Sequence, residues 1–147
     1  MDSSIGALAP PSASEGTFHH IGFVVASIAD SVQGFIDVLQ AEWDGAIFHD
    51  PNQLVRVTFL RGKNAGSPRL ELVEPAAEDS PVIPFLKKGG GLHHLCYEVE
   101  NLEQQLTFCR SKGSLIARPP LPAVAFDGRR IAWVYTKNKL LLEYLER

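Results

Sequence analysis

A chain of 147 residues, 45% apolar and 21% charged, can bury one ordinary core, as a single domain or as two halves that share it. A formal net charge of −3 excludes the basic face of a nucleic-acid binder, and no apolar run approaches the ~20 residues of a membrane helix. Two cysteines, Cys96 and Cys109, stand outside any CxxC pattern, which argues against a disulfide framework or zinc knuckle and for a reducing, cytoplasmic setting.

Residues 1–16, MDSSIGALAPPSASEG, are small and rich in Ser and Pro, without the basic start or long apolar stretch of a signal peptide. They read as a flexible leader. Residues 18–25 read as a strand and 28–39 as a helix. In that helix Ile28, Val32, Phe35, Ile36 and Leu39 recur at helical spacing, and Ser27 or Asp30 caps its start. Strands are expected at 45–49, 54–61 and 68–74. A connector with Pro75, Pro81 and Pro84 follows, containing a short helix over 83–88 that Gly89-Gly90-Gly91 ends. The order then recurs: a strand at 92–99, a helix at 102–112 lined by Leu102, Leu106 and Cys109, and strands near 114–118, 128–136 and 139–145. The proline-rich PPLPAV at 119–124 is expected to be a loop.

That recurrence is an internal repeat. HHIGFVV at His19 matches HHLCYEV at His93, VRVTFL at Val55 matches RRIAWV at Arg129, and LELVEP at Leu70 matches LEYLER at Leu142. Residues 17–75 form a first βαβββ unit, 76–91 a connector, and 92–147 a second unit. One such unit cannot bury its sheet alone, but two packed together can. The expected fold is α+β, a curved mixed sheet with helices outside and a concave cleft, all in one domain.

Four residues do not suit the apolar strands that carry them. His20 shares a face with Gly22 and Val24, Glu71 with Val73, His94 with Cys96, and Glu143 with Leu145. A lone His in a buried strand is ordinarily a hydrogen-bonded core residue, and a lone Glu is ordinarily exposed or salt-bridged. Matched spacing changes that reading. His20 precedes Glu71 by 51 residues and His94 precedes Glu143 by 49, the difference equalling the difference in turn length. A pseudo-twofold axis would bring all four together as a two-nitrogen, two-oxygen set for one divalent ion, Zn, Co, Ni, Mn or Fe. His19 and His93 point the other way by alternation and read as residues that orient the ligands, although each doublet leaves open which of its two histidines binds. His49 falls outside the pattern and reads as a surface residue.

At these motifs the chain resembles the vicinal-oxygen-chelate (glyoxalase/bleomycin-resistance/dioxygenase) superfamily over about residues 17–146, and within it the methylmalonyl-CoA epimerase branch. HHIGFVV, LELVEP, SPVIPFLKKGGGLHHLCYEV and LLLEYLE stand in the epimerase order. The resemblance implies metal ligands at His20, Glu71, His94 and Glu143, a homodimer, and a metal that stabilises the enolate of a substrate with an acidic α-proton. It also implies that Glu143 moves the proton. The second acid of the epimerase, on the third strand, matches Arg56, which stays protonated and cannot be a base. Arg56, and Arg130 at the equivalent place in the second repeat, are therefore expected either to bind a substrate carboxylate or phosphate, or to pair with the glutamates. The leading expectation is a lyase or isomerase acting on an anionic carbonyl compound or thioester. The alternatives are a ring-cleaving Fe(II) oxygenase, for which four protein ligands leave little room, and a non-catalytic small-molecule binding or resistance protein.

Overall fold

The computed structural model describes residues 9–147, so the first half of the expected leader lies outside the described residues. The elements run β1 (Gly16–Val24), α1 (Ile28–Leu39), β2 (Phe48–Asp50), β3 (Val55–Leu60), β4 (Arg69–Pro75), α2 (Ile83–Lys87), β5 (Gly91–Val99), α3 (Leu102–Ser111), β6 (Leu115–Pro122), β7 (Arg130–Tyr135) and β8 (Leu141–Glu146). They build one eight-stranded mixed sheet in the order β2-β3-β4-β1-β5-β8-β7-β6. Read outward from the centre, the two halves match strand for strand, and the antiparallel β1–β5 pair joins them. The architecture is the expected α+β fold of two βαβββ units.

Alternation along each strand separates two buried layers. On the outer face α1 covers Leu60 and Leu72 with Ile28 and Val32, and α3 covers Ala132, Val134 and Leu142 with Leu102, Leu106 and Cys109. On the concave face Val55, Val57, Val73 and Val82 form one apolar group, and Cys96, Phe126, Ile131 and Leu145 form another. Ser27 caps α1 by accepting from the Asp30 N–H at 3.2 Å, and Asn101 caps α3 by accepting from the Gln104 N–H at 2.9 Å. Of the leader, Ser14 donates its N–H to Gln105 Oε1 and accepts at Oγ from the Asn101 N–H, both at 2.8 Å, so its described end is tied to the start of α3.

Two expectations need correction. The second strand of the first repeat is Phe48–Asp50 rather than 45–49. The PPLP stretch is not a loop: Pro119 to Pro122 continue β6. The strand tolerates them because it lies at the sheet edge and pairs only with β7, with register shifts on both sides of Arg118. Among the described residues no helix is long and apolar enough to cross a membrane.

The outer core makes a quantitative demand. Leu102 is fully buried between α3 and the sheet. Leu102→Ala is expected to cost about 2–5 kcal/mol in urea unfolding, with the folded circular dichroism spectrum retained; a loss below about 1 kcal/mol would contradict this packing.

Candidate metal centre

The four central strands of the sheet, β4-β1-β5-β8, carry one singled-out residue each: Glu71, His20, His94 and Glu143. All four are buried and point into the concave face. The β1–β5 register sets Gly22 opposite His94 and Cys96 opposite His20, which brings the two imidazoles to 3.2 Å between Nε2 atoms. Glu71 Oε1 lies 3.5 Å from His20 Nε2 and 3.2 Å from His94 Nε2. Glu143 Oε1 lies 3.1 Å and 3.5 Å from the same two atoms.

Hydrogen bonding alone does not satisfy this cluster. Each Nε2 has three neighbours but carries at most one proton. Glu143 Oε1 is buried with no hydrogen-bond partner among the described residues. Four donors around one ion at ~2.0–2.2 Å stand roughly 3.3–3.6 Å apart when tetrahedral, close to the separations present. Two carboxylates also balance the charge of a divalent cation. The donor set therefore fits such an ion.

The neighbouring histidines orient this set. His19 Nδ1 lies 2.8 Å from His20 Nδ1, and His93 Nδ1 lies 2.8 Å from His94 Nδ1. Burial, with the adjacent ligand imidazole, lowers both His19 and His93 to about 4, so both are neutral near pH 7. A neutral Nδ1 accepts the Nδ1–H of the next histidine, which leaves Nε2 of His20 and His94 free to bind. Burial alone would lower His20, but the Glu71 and Glu143 carboxylates outweigh it and raise it to about 10; His94 is raised in the same way. Burial would likewise raise the two carboxyls, yet the imidazoles hold both below the usual range.

Aromatic rings wall the cluster. Phe59 packs edge-on against His20 at 5.5 Å between centroids, and Trp133 against His94 at 4.7 Å. They hold equivalent places, Phe59 opposite Glu71 and Trp133 opposite Glu143 across their strand pairs. Phe126 stacks against His20 with 6.0 Å between centroids. Gly22 is required by the close approach of His94, since a Cβ there would sit 2.0 Å from the imidazole Cε1. The sequence carried signals for these residues: Phe59 and Trp133 each follow their ligand histidine by 39 positions, and Gly22 and Cys96 each follow theirs by two.

A cavity of about 200 Å³ opens from Glu71, His94 and Glu143 between Val55, Val57, Val73 and Val82 on one wall and Trp133, Ala117 and Arg118 on the other, with Gln53 and His93 also at its lining. Neither arginine expected at the substrate lines it. Arg56 pairs with Glu74 at 3.1 Å, and Glu74 also accepts the Ile28 N–H at the start of α1. Arg130 pairs with Glu146 at 2.6 Å and with Glu103 of α3 at 2.8 Å. Both lie on the outer face, where they clamp equivalent helix starts to the sheet. The inward positions of β3 are Val55, Val57 and Phe59, one residue out of step with Arg56. His49 is exposed, as expected.

Comparison with known proteins extends these observations. The sequence matches the Glyoxalase/Bleomycin resistance protein/Dioxygenase superfamily over residues 19–133. An ethylmalonyl-CoA/methylmalonyl-CoA epimerase from Cereibacter sphaeroides is 28% identical over 125 residues, 84% of this chain and 90% of the relative. The structure of methylmalonyl-CoA epimerase from Mycobacterium tuberculosis shares the fold, with a TM-score of 0.77 at 23% identity over 95% of this chain and 92% of that one. A Streptomyces coelicolor methylmalonyl-CoA epimerase variant in complex with 2-nitronate-propionyl-CoA gives a TM-score of 0.74 at 25% identity over 92% of this chain and 98% of that one. The chain thus belongs to the Glyoxalase/Bleomycin resistance protein/Dioxygenase superfamily.

Proposed function

We propose that this chain is a divalent-metal-dependent isomerase or lyase of the epimerase kind, acting on a carbonyl or thioester compound with an acidic α-proton. His20, Glu71, His94 and Glu143 hold one ion, and Glu143 moves the proton. The observation that carries this reading is Glu143 Oε1, buried among two imidazoles with no hydrogen-bond partner among the described residues. The epimerase relatives support the substrate class, since both the Cereibacter protein and the Streptomyces complex involve CoA thioesters by name.

A divalent ion bound there would supply a Lewis acid that stabilises negative charge on the substrate oxygen as the α-proton leaves. The chain's own residues do the rest. The valine wall of the cavity excludes water from the reacting carbon, and Glu143, at the cavity floor, takes the proton. Epimerisation also needs a proton delivered to the opposite face. With Val55, Val57 and Phe59 inward on β3, that strand offers no acid. Glu71, related to Glu143 by the pseudo-twofold, is the other carboxyl group that lines the cavity.

Four outcomes are expected. Purified protein loaded with Zn(II) or Co(II) should hold one ion per chain by mass spectrometry. In D₂O, Glu143→Gln should slow exchange of a methylmalonyl-CoA α-proton by about 10²–10⁴ per bound ion. Unchanged exchange at equal metal content would remove Glu143 as the base.

Gly22→Ala should drive the His94 ring out of place. Metal affinity is expected to fall at least tenfold while the fold is retained, as read by competition with a chelating dye and by circular dichroism. Wild-type affinity in the folded variant would contradict the arrangement.

The raised pKa of His20 means that the metal-free cluster holds protons at neutral pH, and a binding ion must displace them. Apparent metal affinity should therefore rise with pH through the neutral range toward about 10. Calorimetric titration in buffers of different ionisation enthalpy should report proton release. A binding enthalpy independent of buffer would count against it.

A further inference from the structure

The described arginines fall into two groups. Arg56, Arg129, Arg130 and Arg147 each have a carboxylate partner. Arg61, Arg69, Arg110 and Arg118 have none among the described residues. Of that second group only Arg118 lines the cavity that also holds Glu71, His94 and Glu143, and it is the one Lys or Arg there. Its residue is half-buried. With no carboxylate partner among the described residues, it is the cation that an oxyanion entering this cavity would meet.

The backbone holds Arg118 in this position. It pairs with Trp133 in the β6–β7 register, with a shift on either side. Pro119 and Pro120 follow it and restrict the strand. Trp133 is fixed in turn, donating its Nε1–H to Gln53 Oε1 at 3.0 Å, while Gln53 Nε2 donates to Asp50 Oδ2 at 3.0 Å. The indole thus touches ligand His94 with its ring and borders Arg118 through its strand. A substrate whose carbonyl end reaches the cluster would run along this wall.

We propose that Arg118 binds an oxyanion of the substrate, a carboxylate or phosphate carried at a distance from the cluster. This rests on the function proposed above. A planar guanidinium suits either oxyanion bidentately, so the shared chemistry is an oxyanion on the acyl group or on its carrier.

Calorimetric titration of the metal-loaded protein tests it with three probes. Racemic methylmalonyl-CoA carries both anions, propionyl-CoA carries only the carrier phosphates, and methylmalonyl-N-acetylcysteamine carries only the acyl carboxylate. Arg118→Gln should weaken methylmalonyl-CoA binding at least tenfold with metal content unchanged, and Arg118→Lys should restore part of the loss. A loss shared by the N-acetylcysteamine thioester but not by propionyl-CoA assigns the acyl carboxylate, and the reverse assigns the phosphates. If Arg118→Gln binds all three as wild type does, the role of Arg118 is overturned while the reading of the centre stands. If metal-loaded wild type binds none of them, the thioester reading falls, and this proposal with it.

Discussion

His20 and His94 face each other because β1 and β5 pair antiparallel at the centre of the sheet, and most of the site follows from that one pairing. The register sets each ligand histidine across from a small or slender residue, Cys96 or Gly22, so neither ring is displaced by the residue opposite. The parallel partners β4 and β8 flank this pair and bring one carboxylate each. His19 and His93 fall at the two irregularities of the β1–β5 pairing, and His93 itself reaches the cavity lining beside His94, so neither doublet alternates strictly between the faces. The doubled histidines make that register consequential: the first of each pair orients the second, and the two roles are not interchangeable.

Electrostatics bind the same group of residues. Two carboxylates among apolar strands, both almost fully buried, would ordinarily be driven toward their neutral forms. The facing imidazoles prevent this by holding Glu71 and Glu143 ionised, at the expense of binding protons themselves. A divalent cation bound there would compete with protons for one set of lone pairs. The neutral His19 and His93 favour the cation, because each takes a ligand's Nδ1–H and leaves Nε2 pointing inward.

Much of this was legible in the sequence. The repeat supplied the strand order of each half, and the matched His-to-Glu spacings marked four residues that the structure gathers into one cluster. Arg56 shows where the sequence left two readings open. Both faces of β3 are buried, one in the cleft and the other against α1, so both Val55–Val57 and Thr58–Leu60 look internal and alternation carries no parity signal. An apolar strand with one arginine then invites the arginine into the cleft, whereas Glu74 and the start of α1 hold it outside. Pro119 to Pro122 misled for a different reason: proline forbids a central strand but not an edge, and edge position is a property of the assembled sheet.

The repeat symmetry is strict where the ligands are and broken where a substrate would enter. Arg56 and Arg130, Phe59 and Trp133, and the two histidine doublets all occupy equivalent places and do equivalent work. The edge strands do not match: β2 has three residues and β6 has eight, and β6 carries Arg118 to the cavity. A symmetric centre can hold an ion equally from both sides, but it cannot by itself tell one end of a substrate from the other. That distinction has to come from the walls, and here they differ: valines on the β3 side, an indole and an unpaired guanidinium on the β6 side. The difference between the edge strands thus gives an almost symmetric cluster two chemically different walls.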